Sequence, residues 1–472
     1  MQIFNKFDKA SRHVDRLQAQ ATSATSVLDR ADRVVRLLGA DIRLQKAALE
    51  LETINEHTGI TRAHPALYHR ARHISPLPGW LCAEFRLAQT ASFLALDASR
   101  DGNRLCPLLS AYGQLVRLGR EIGKRRAEAL DLETVSDAWI DYFNPGIRLS
   151  YLNRLRADIQ SHARNKLKTL TAQDYQPAQA PQDELTPDMR KKLAYRLMTS
   201  FLKRDNAVIA HFSGPPRTEG IPDEIHLDFG GSEKRALPFM ANAYHELCHA
   251  ALLSKGPVAN RAIDETAAKT GDMIFTTADN AAFISDLAGH ELHLDSPDWH
   301  RERIHAAINA IYPGAPRVEA DMLTAPLHAC IWMDIDEAML TGRAKPRELP
   351  DYWQATVKRY LGADVTPESV TQETLPLLGR FWEMSSYFLG DIAAPQIYAA
   401  LERKSPDIGR DFRRGAFRET MAVITQKLDM QTSVTTHEVI RRASGQSLST
   451  QAWKYYTDQR VKSLTLNAAH FP

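Results

Sequence analysis

Cysteine is scarce in this chain: Cys82, Cys106, Cys248 and Cys330 are the four among 472 residues, with no CxxC pair. That argues against a disulfide framework and fits a reducing compartment. Charge of one sign is also missing. Fifty-nine basic residues face 57 acidic ones, for a formal charge of +2, so neither nucleic acid nor an anionic membrane is expected as the main partner. No run approaches 18 apolar residues, and the amino-terminal MQIFNKFDKASRH has no apolar signal core. The expectation is a cytoplasmic protein. Internal repeats are absent as well. What is present is an ordinary globular composition, 44% hydrophobic and 25% charged, enough to bury a large core.

Leu, Ala, Arg and Glu recur at helical spacing from about residue 9 to 172, which predicts helices over 10–51, 79–98, 105–128, 134–142 and 148–170. His57, His64, His69 and His73 fall in a proline-punctuated part of this half and read as surface or packing residues. A polar, aperiodic stretch over 172–186 reads as a loop. The chain is therefore expected to be a single domain over 1–472, with a helical half 1–171, this loop, and a second half 187–472. The second half opens with a helix over 187–204. Later helices are expected over 303–311, from 328 to about 340, over 352–361 and over 377–389.

Residues 238–256, PFMANAYHELCHAALLSKG, carry the chemistry. Pro238 suits a first helical turn and the following Gly-Pro a stop. At about 100° per residue His249 lies roughly 40° from His245, while Met240, Tyr244, Leu247 and Ala251 form a stripe on the opposite side. Two imidazoles thus face one cation, and Glu246 on the flank can reach a metal-bound water. Cys248 reads as a packing residue. Sixteen residues beyond His249, Glu265 opens a second helix, and an antiparallel return can bring it to the metal as third ligand. Two histidines and one glutamate leave a fourth position for water. The alternative for Glu265 is a solvated carboxylate at a helix start. A second pair, His290 and His293, has i, i+3 spacing and reads as surface.

Just before this helix, residues 207–212 (AVIAHF) and 224–229 (EIHLDF) are β-prone and predict a small antiparallel pair beside it. Their His211 and His226 are either substrate-binding groups in the cleft or ordinary strand histidines.

Several stretches resemble the carboxypeptidase Taq family of metallocarboxypeptidases. HELCHA followed by Ile263-Asp-Glu-Thr266 is similar to the family's HExGH helix and later HES segment. Arg317-Val-Glu-Ala-Asp321 resembles its [IV]RxxAD motif, Leu349-Pro-Asp-Tyr-Trp-Gln354 its LPxxWN run, Tyr360-Leu-Gly362 its YLG, and Trp139 to Gly146 its segment ending in EPG. The resemblance implies a mainly α, zincin-type domain with a deep groove, and a homodimer. It also implies one divalent metal, Zn2+ with Co2+ or Mn2+ as alternatives, held by His245, His249 and Glu265. Glu246 is then the general base, and Arg317 matches the family's arginine, suited to a peptide's terminal carboxylate. Asp264 or Asp272 would orient a ligand, unless they are solvated helix-end carboxylates.

The departures concern the substrate-binding shell. HPF is reduced to His211-Phe212, and DxRxT becomes residues 224–228 with His226 where the family has arginine. QDxHW survives as Gln372-Glu373, with Leu375-Pro376 in place of His-Trp. Trp382-Glu383 replaces a glycine-tyrosine pair, and Asp264 replaces the histidine of HES. The expected function is a zinc metallocarboxypeptidase acting on peptides. The alternatives are a zinc hydrolase of altered amide specificity and a non-catalytic metal-binding scaffold on the same fold.

Overall fold

The computed structural model describes residues 6, 8–15, 43–49, 65–102, 104–173, 175–203, 207–231, 233–256, 258–312, 316–430 and 433–467. Most of the helix expected over 10–51, together with His57 and His64, lies outside the described residues. The amino-terminal half is built from α1 (Pro65–Ile74), α2 (Gly79–Gly102), α3 (Cys106–Leu130), α4 (Val135–Phe143) and α5 (Leu149–Ala172). The expected loop follows, pinned at Glu184 by a bridge to Arg235 and at Asp183, which accepts from Trp299 Nε1 at 2.9 Å.

The second half begins with α6 (Pro187–Phe201) and three strands, β1 (Val208–His211), β2 (Arg217–Ile221) and β3 (Glu224–Asp228). It continues through α7 (Ala236–Leu253), α8 (Arg261–Phe275), α9 (Ala278–Leu292), α10 (Arg301–Ile308), α11 (Ala325–Thr341) and α12 (Leu349–Leu361). It closes with α13 (Met384–Lys404), α14 (Ile408–Arg413), α15 (Phe417–Lys427), α16 (Thr436–Ser444) and α17 (Gln451–Asn467). One cluster of buried apolar side chains runs from Leu77 to Leu464 and joins both halves. A smaller one packs α1 through Leu67 and Ala71 onto Val14, Leu44, Ala47 and Ala48.

The protein is thus mainly α with a small sheet, as the sequence predicts, but the sheet is mixed rather than an antiparallel pair. β1 runs parallel to β3, and β2 pairs antiparallel with β3, giving the order β1-β3-β2. The strand missing from the sequence reading is β2, whose RTEGI lacks a β-branched alternation. Gly220 at φ +125° permits it, since a β-carbon there would stand 2.2 Å from the Glu224 carbonyl oxygen.

Two helix boundaries also differ. The motif helix α7 starts at Ala236, with Pro238 in its first turn, where the missing N–H costs nothing. The helix expected over 377–389 is broken. Gly379 (φ +73°) and Trp382 (φ +64°) are left-handed, Trp382 N donates to the buried Asp336 Oδ2 at 2.7 Å, and α13 begins only at Met384.

Three close packings set the site. α8 lies between α7 and α13, and both contacts need a glycine. A β-carbon at Gly271 of α8 would meet Cys248 Sγ at 2.5 Å, and one at Gly390 of α13 would meet Glu265 Cβ at 2.7 Å. β2 and β3 pack on the other side of α7.

Candidate metal centre

The expected core stripe of α7 is buried: Met240, Tyr244 and Leu247 have no exposure and Ala251 almost none. Cys248 is fully buried beside Met421. The opposite face holds the histidines. Their rings meet edge to face with centroids 4.9 Å apart.

α8 is capped by Asn260, whose side chain accepts from Ile263 N at 3.2 Å and is itself held by donating to Val434 O at 2.7 Å. This cap fixes the first turns of α8 and places two adjacent carboxylates on the histidines. Asp264 Oδ1 lies 2.8 Å from His249 Nδ1, and Glu265 Oε2 lies 3.8 Å from His245 Nε2 and 3.9 Å from His249 Nε2. Two turns on, Asp272 Oδ1 lies 3.2 Å from His245 Nδ1. Each imidazole therefore has its Nδ1 on an orienting carboxylate and its Nε2 toward Glu265. This is the pattern of metal-ligating histidines.

Glu265 decides whether a cation fits. It has no exposure, and neither carboxylate oxygen has a hydrogen-bond partner. A buried carboxylate without a hydrogen bond costs several kcal/mol, and the Arg261 guanidinium comes no nearer than 3.9 Å, Nη2 to Oε1. Ligand atoms of His245, His249 and Glu265 all lie within 4.8 Å of one another, somewhat wider than the about 3.4 Å separations of a tetrahedral site with 2.0–2.1 Å bonds. The residues fit a divalent cation.

The charges around the three groups are balanced in layers. Arg261 is bonded to Asp264 and lies 3.4 Å from Glu383 Oε1 through Nε. Arg380 makes two bonds to Glu383. Lys269 bridges Asp272 (3.2 Å) and Asp391 (3.4 Å). Burial alone would lower the His249 pKa, but Asp264, Glu265 and Glu246 outweigh it and raise it to about 9. Burial raises the Glu246 carboxyl against the pull of His249 and His245. Thr218 on β2 supports it: its Oγ1 lies 2.8 Å from Glu246 Oε2 and 2.9 Å from the Glu246 backbone oxygen.

These groups open into one cleft of about 2040 Å³. Arg317 lines it, with Nε donating to Glu373 Oε1 at 2.5 Å and the guanidinium over the Tyr387 ring at 5.1 Å. His211 and His226 do not line the cleft, which corrects the expectation of a role there. Thr218 faces α7, and its cross-strand partner is Leu227. His226 is one residue removed and so points to the other face of the sheet. There it stacks on His211, Nδ1 to Nε2 at 3.0 Å, and lies 3.1 Å from Glu224. Arg217 and Thr218, which the sequence reading passed over, border the cleft in their place.

One other group of metal-type donors converges among the described residues: His69, His73 and Asp141. Its carboxylate is already committed, through Oδ1 to Arg148 at 2.6 Å and Gly146 N at 3.0 Å and through Oδ2 to His73 at 3.0 Å. Arg126 donates to the His73 carbonyl at 3.0 Å. With the carboxylate met by Arg148 and a second guanidinium, Arg126, against His73, a further cation is disfavoured, so the packing role expected for these histidines is the better account. His290 and His293 are exposed, as expected.

Residues 281–461 match a family model, that of the carboxypeptidase Taq (M32) metallopeptidases. The chain's curated relatives are named carboxypeptidases. Carboxypeptidase 1 of Bacillus subtilis is 24% identical over 358 residues, 70% of this chain and 69% of that protein. In fold, the chain superposes on Pyrococcus furiosus carboxypeptidase with a TM-score of 0.87 at 15% identity, and on Trypanosoma cruzi metallocarboxypeptidase 1 with 0.84 at 17%. Each comparison covers 98% of both chains. The fold of these carboxypeptidases is therefore present nearly end to end, and the matched family, being one of metallopeptidases, implies a divalent metal. The matched segment includes Arg317, Glu373 and Glu383, but the proposed ligands of α7 and α8 lie before it.

Proposed function

We propose that the chain is a metal-dependent carboxypeptidase, with His245, His249 and Glu265 as ligands and zinc as the metal, Co2+ or Mn2+ being the alternatives. The observation that carries this reading is the buried, partnerless Glu265 carboxylate facing two Nε2 atoms that carboxylates orient from behind. A divalent ion bound there would act as a Lewis acid and bring the pKa of bound water down to about 7.

The chain's own residues divide the remaining work. Asp264 and Asp272 accept hydrogen bonds from Nδ1 of His249 and His245 and so turn both Nε2 atoms toward the metal position. Glu246 takes the proton of the attacking water and passes it to the leaving amine. Burial, which favours its protonated form, suits a group that must accept and return a proton near neutrality. Thr218 holds that carboxylate against β2. Arg317 is fixed by Glu373 through Nε, leaving its Nη groups for a terminal carboxylate.

The pairing with Glu373 supports the second reading, altered amide specificity, because it neutralises much of the Arg317 charge. The scaffold reading is weaker. A structural site has no use for Glu246 poised beside the ligands. Buried side chains shared by both halves support a single domain, and four free cysteines support a cytoplasmic setting. Among the described residues no helix is long and apolar enough to cross a membrane. A homodimer rests on the family resemblance alone.

The test is metal content together with mass spectrometry of a peptide library after incubation. Stoichiometric metal and stepwise loss of carboxyl-terminal residues are expected, with amidated peptides resistant. Internal cleavage alone would overturn the exopeptidase assignment.

A further inference from the structure

We propose that Arg460 is a second carboxylate-binding point of the cleft, recognising either the chain terminus of a peptide or an acidic side chain near it; this rests on the peptidase reading. Arg460 sits on α17 and lines the same cavity as His245 and Glu246. The other cations close to the centre are already matched: Arg261 by Asp264 and Glu383, Lys269 by Asp272 and Asp391, Arg380 by Glu383, Arg317 by Glu373. Arg460 differs. Among the described residues its guanidinium has neither an ion pair nor a hydrogen bond, and the acidic group it senses is Asp321.

Asp321 is in no position to serve it. Its Oδ1 accepts from Leu323 N at 2.7 Å and Thr324 N at 3.1 Å, and its Oδ2 from Thr324 Oγ1 at 2.8 Å and Tyr312 N at 3.2 Å. These four donors hold the carboxylate in the turn that leads into α11. Trp453 Nε1, donating to Met322 O at 3.1 Å, clamps α17 against that same turn. Arg460 is therefore positioned by its helix while its charge is left unmet. Burial accordingly pulls its pKa down to about 10, which still leaves it charged at neutral pH. A planar guanidinium of this kind accepts a carboxylate in bidentate fashion. Arg317 and Arg460 line the same cleft. Arg317, already paired with Glu373, and Arg460, unpaired, give that cleft two cationic anchors, one largely neutralised and one not.

The test measures binding rather than turnover, using the metal-loaded Glu246→Gln protein and its double variant with Arg460→Met. Four peptides suffice: a free-acid peptide with glutamate next to its last residue, the glutamine analogue, and the amidated form of each. We expect Arg460→Met to weaken one or more carboxylate-bearing peptides by about tenfold or more, the scale of a hydrogen bond to a charged group. The amidated glutamine peptide should change little. If amidation abolishes the difference, the chain terminus is the ligand; if the glutamine exchange does, the acidic side chain is. Arg460→Lys, which keeps the charge without the fork, should fall between and guards against misfolding of the methionine variant. Equal weakening of all four peptides, or no weakening of any, would overturn the proposal. Failure of all four to bind the parent Glu246→Gln protein would instead remove the peptidase reading, and the proposal with it.

Discussion

Gly390 of α13 lies so close to Glu265 of α8 that a β-carbon at Gly390 would stand 2.7 Å from Glu265 Cβ and 3.0 Å from its carbonyl carbon. The proposed third ligand is thus positioned from behind by a helix that contributes no ligand. Gly390→Ala should push Glu265 toward the histidines, costing about 1–3 kcal/mol by overpacking and weakening metal binding. Thermal melts and metal titration check both effects. An unchanged metal affinity would remove this positioning role.

Asp264→Asn should lower metal affinity by about 10–100-fold, the usual cost of losing a partner behind a ligating histidine. The fold should persist, since Arg261 keeps Glu383. Competition with a chromogenic chelator gives the measurement, and circular dichroism the control.

The metal-free protein carries a proton on His249 up to pH about 9. Metal must displace it, so apparent affinity should rise about tenfold per pH unit from 7 toward 9 and then level off. Stability of the metal-free chain should move the other way. The folded pKa lies above the unfolded value of 6.5, so the pairing of His249 with Asp264 contributes fully below 6.5. That contribution is lost as pH climbs through 9. Melting of chelator-treated protein across this range checks the sign.

Thr218→Val removes the hydroxyl 2.8 Å from Glu246 Oε2. A hydrogen bond to a carboxylate favours its charged form, so its loss should move the acid limb of kcat/KM to higher pH, with metal content unchanged. A pH–rate profile that stays in place would deny Thr218 this role.

The metal face was legible because helix geometry is local. Once 238–256 reads as a helix, the placement of His245, Glu246 and His249 follows from a 100° step, and Glu265 needs only a short antiparallel return. Partners set by tertiary packing were harder to read. Thr218 lies on a strand with no β signature, and its contact with Glu246 depends on a sheet whose β1–β3 pairing is parallel. His211 and His226 were misplaced for the same reason, since a strand's facing is fixed by its neighbours rather than its composition. Arg317 was visible as a residue, but the Glu373 that holds it stands 56 positions away. The break at Trp382 depends on Asp336, 46 residues distant, taking its backbone N–H. Asp264 is the instructive case. It replaces a family histidine and reads from the sequence either as orienting a ligand or as a solvated helix-end carboxylate, and the structure places it on His249.

The most direct test of the account is Glu246→Gln in metal-loaded protein, assayed for metal content and for release of carboxyl-terminal residues from free-acid peptides. The account predicts one metal per chain, as in the parent, with release slower by about 10²–10⁴-fold, the contribution of a general base. Undiminished release with the metal retained would contradict it.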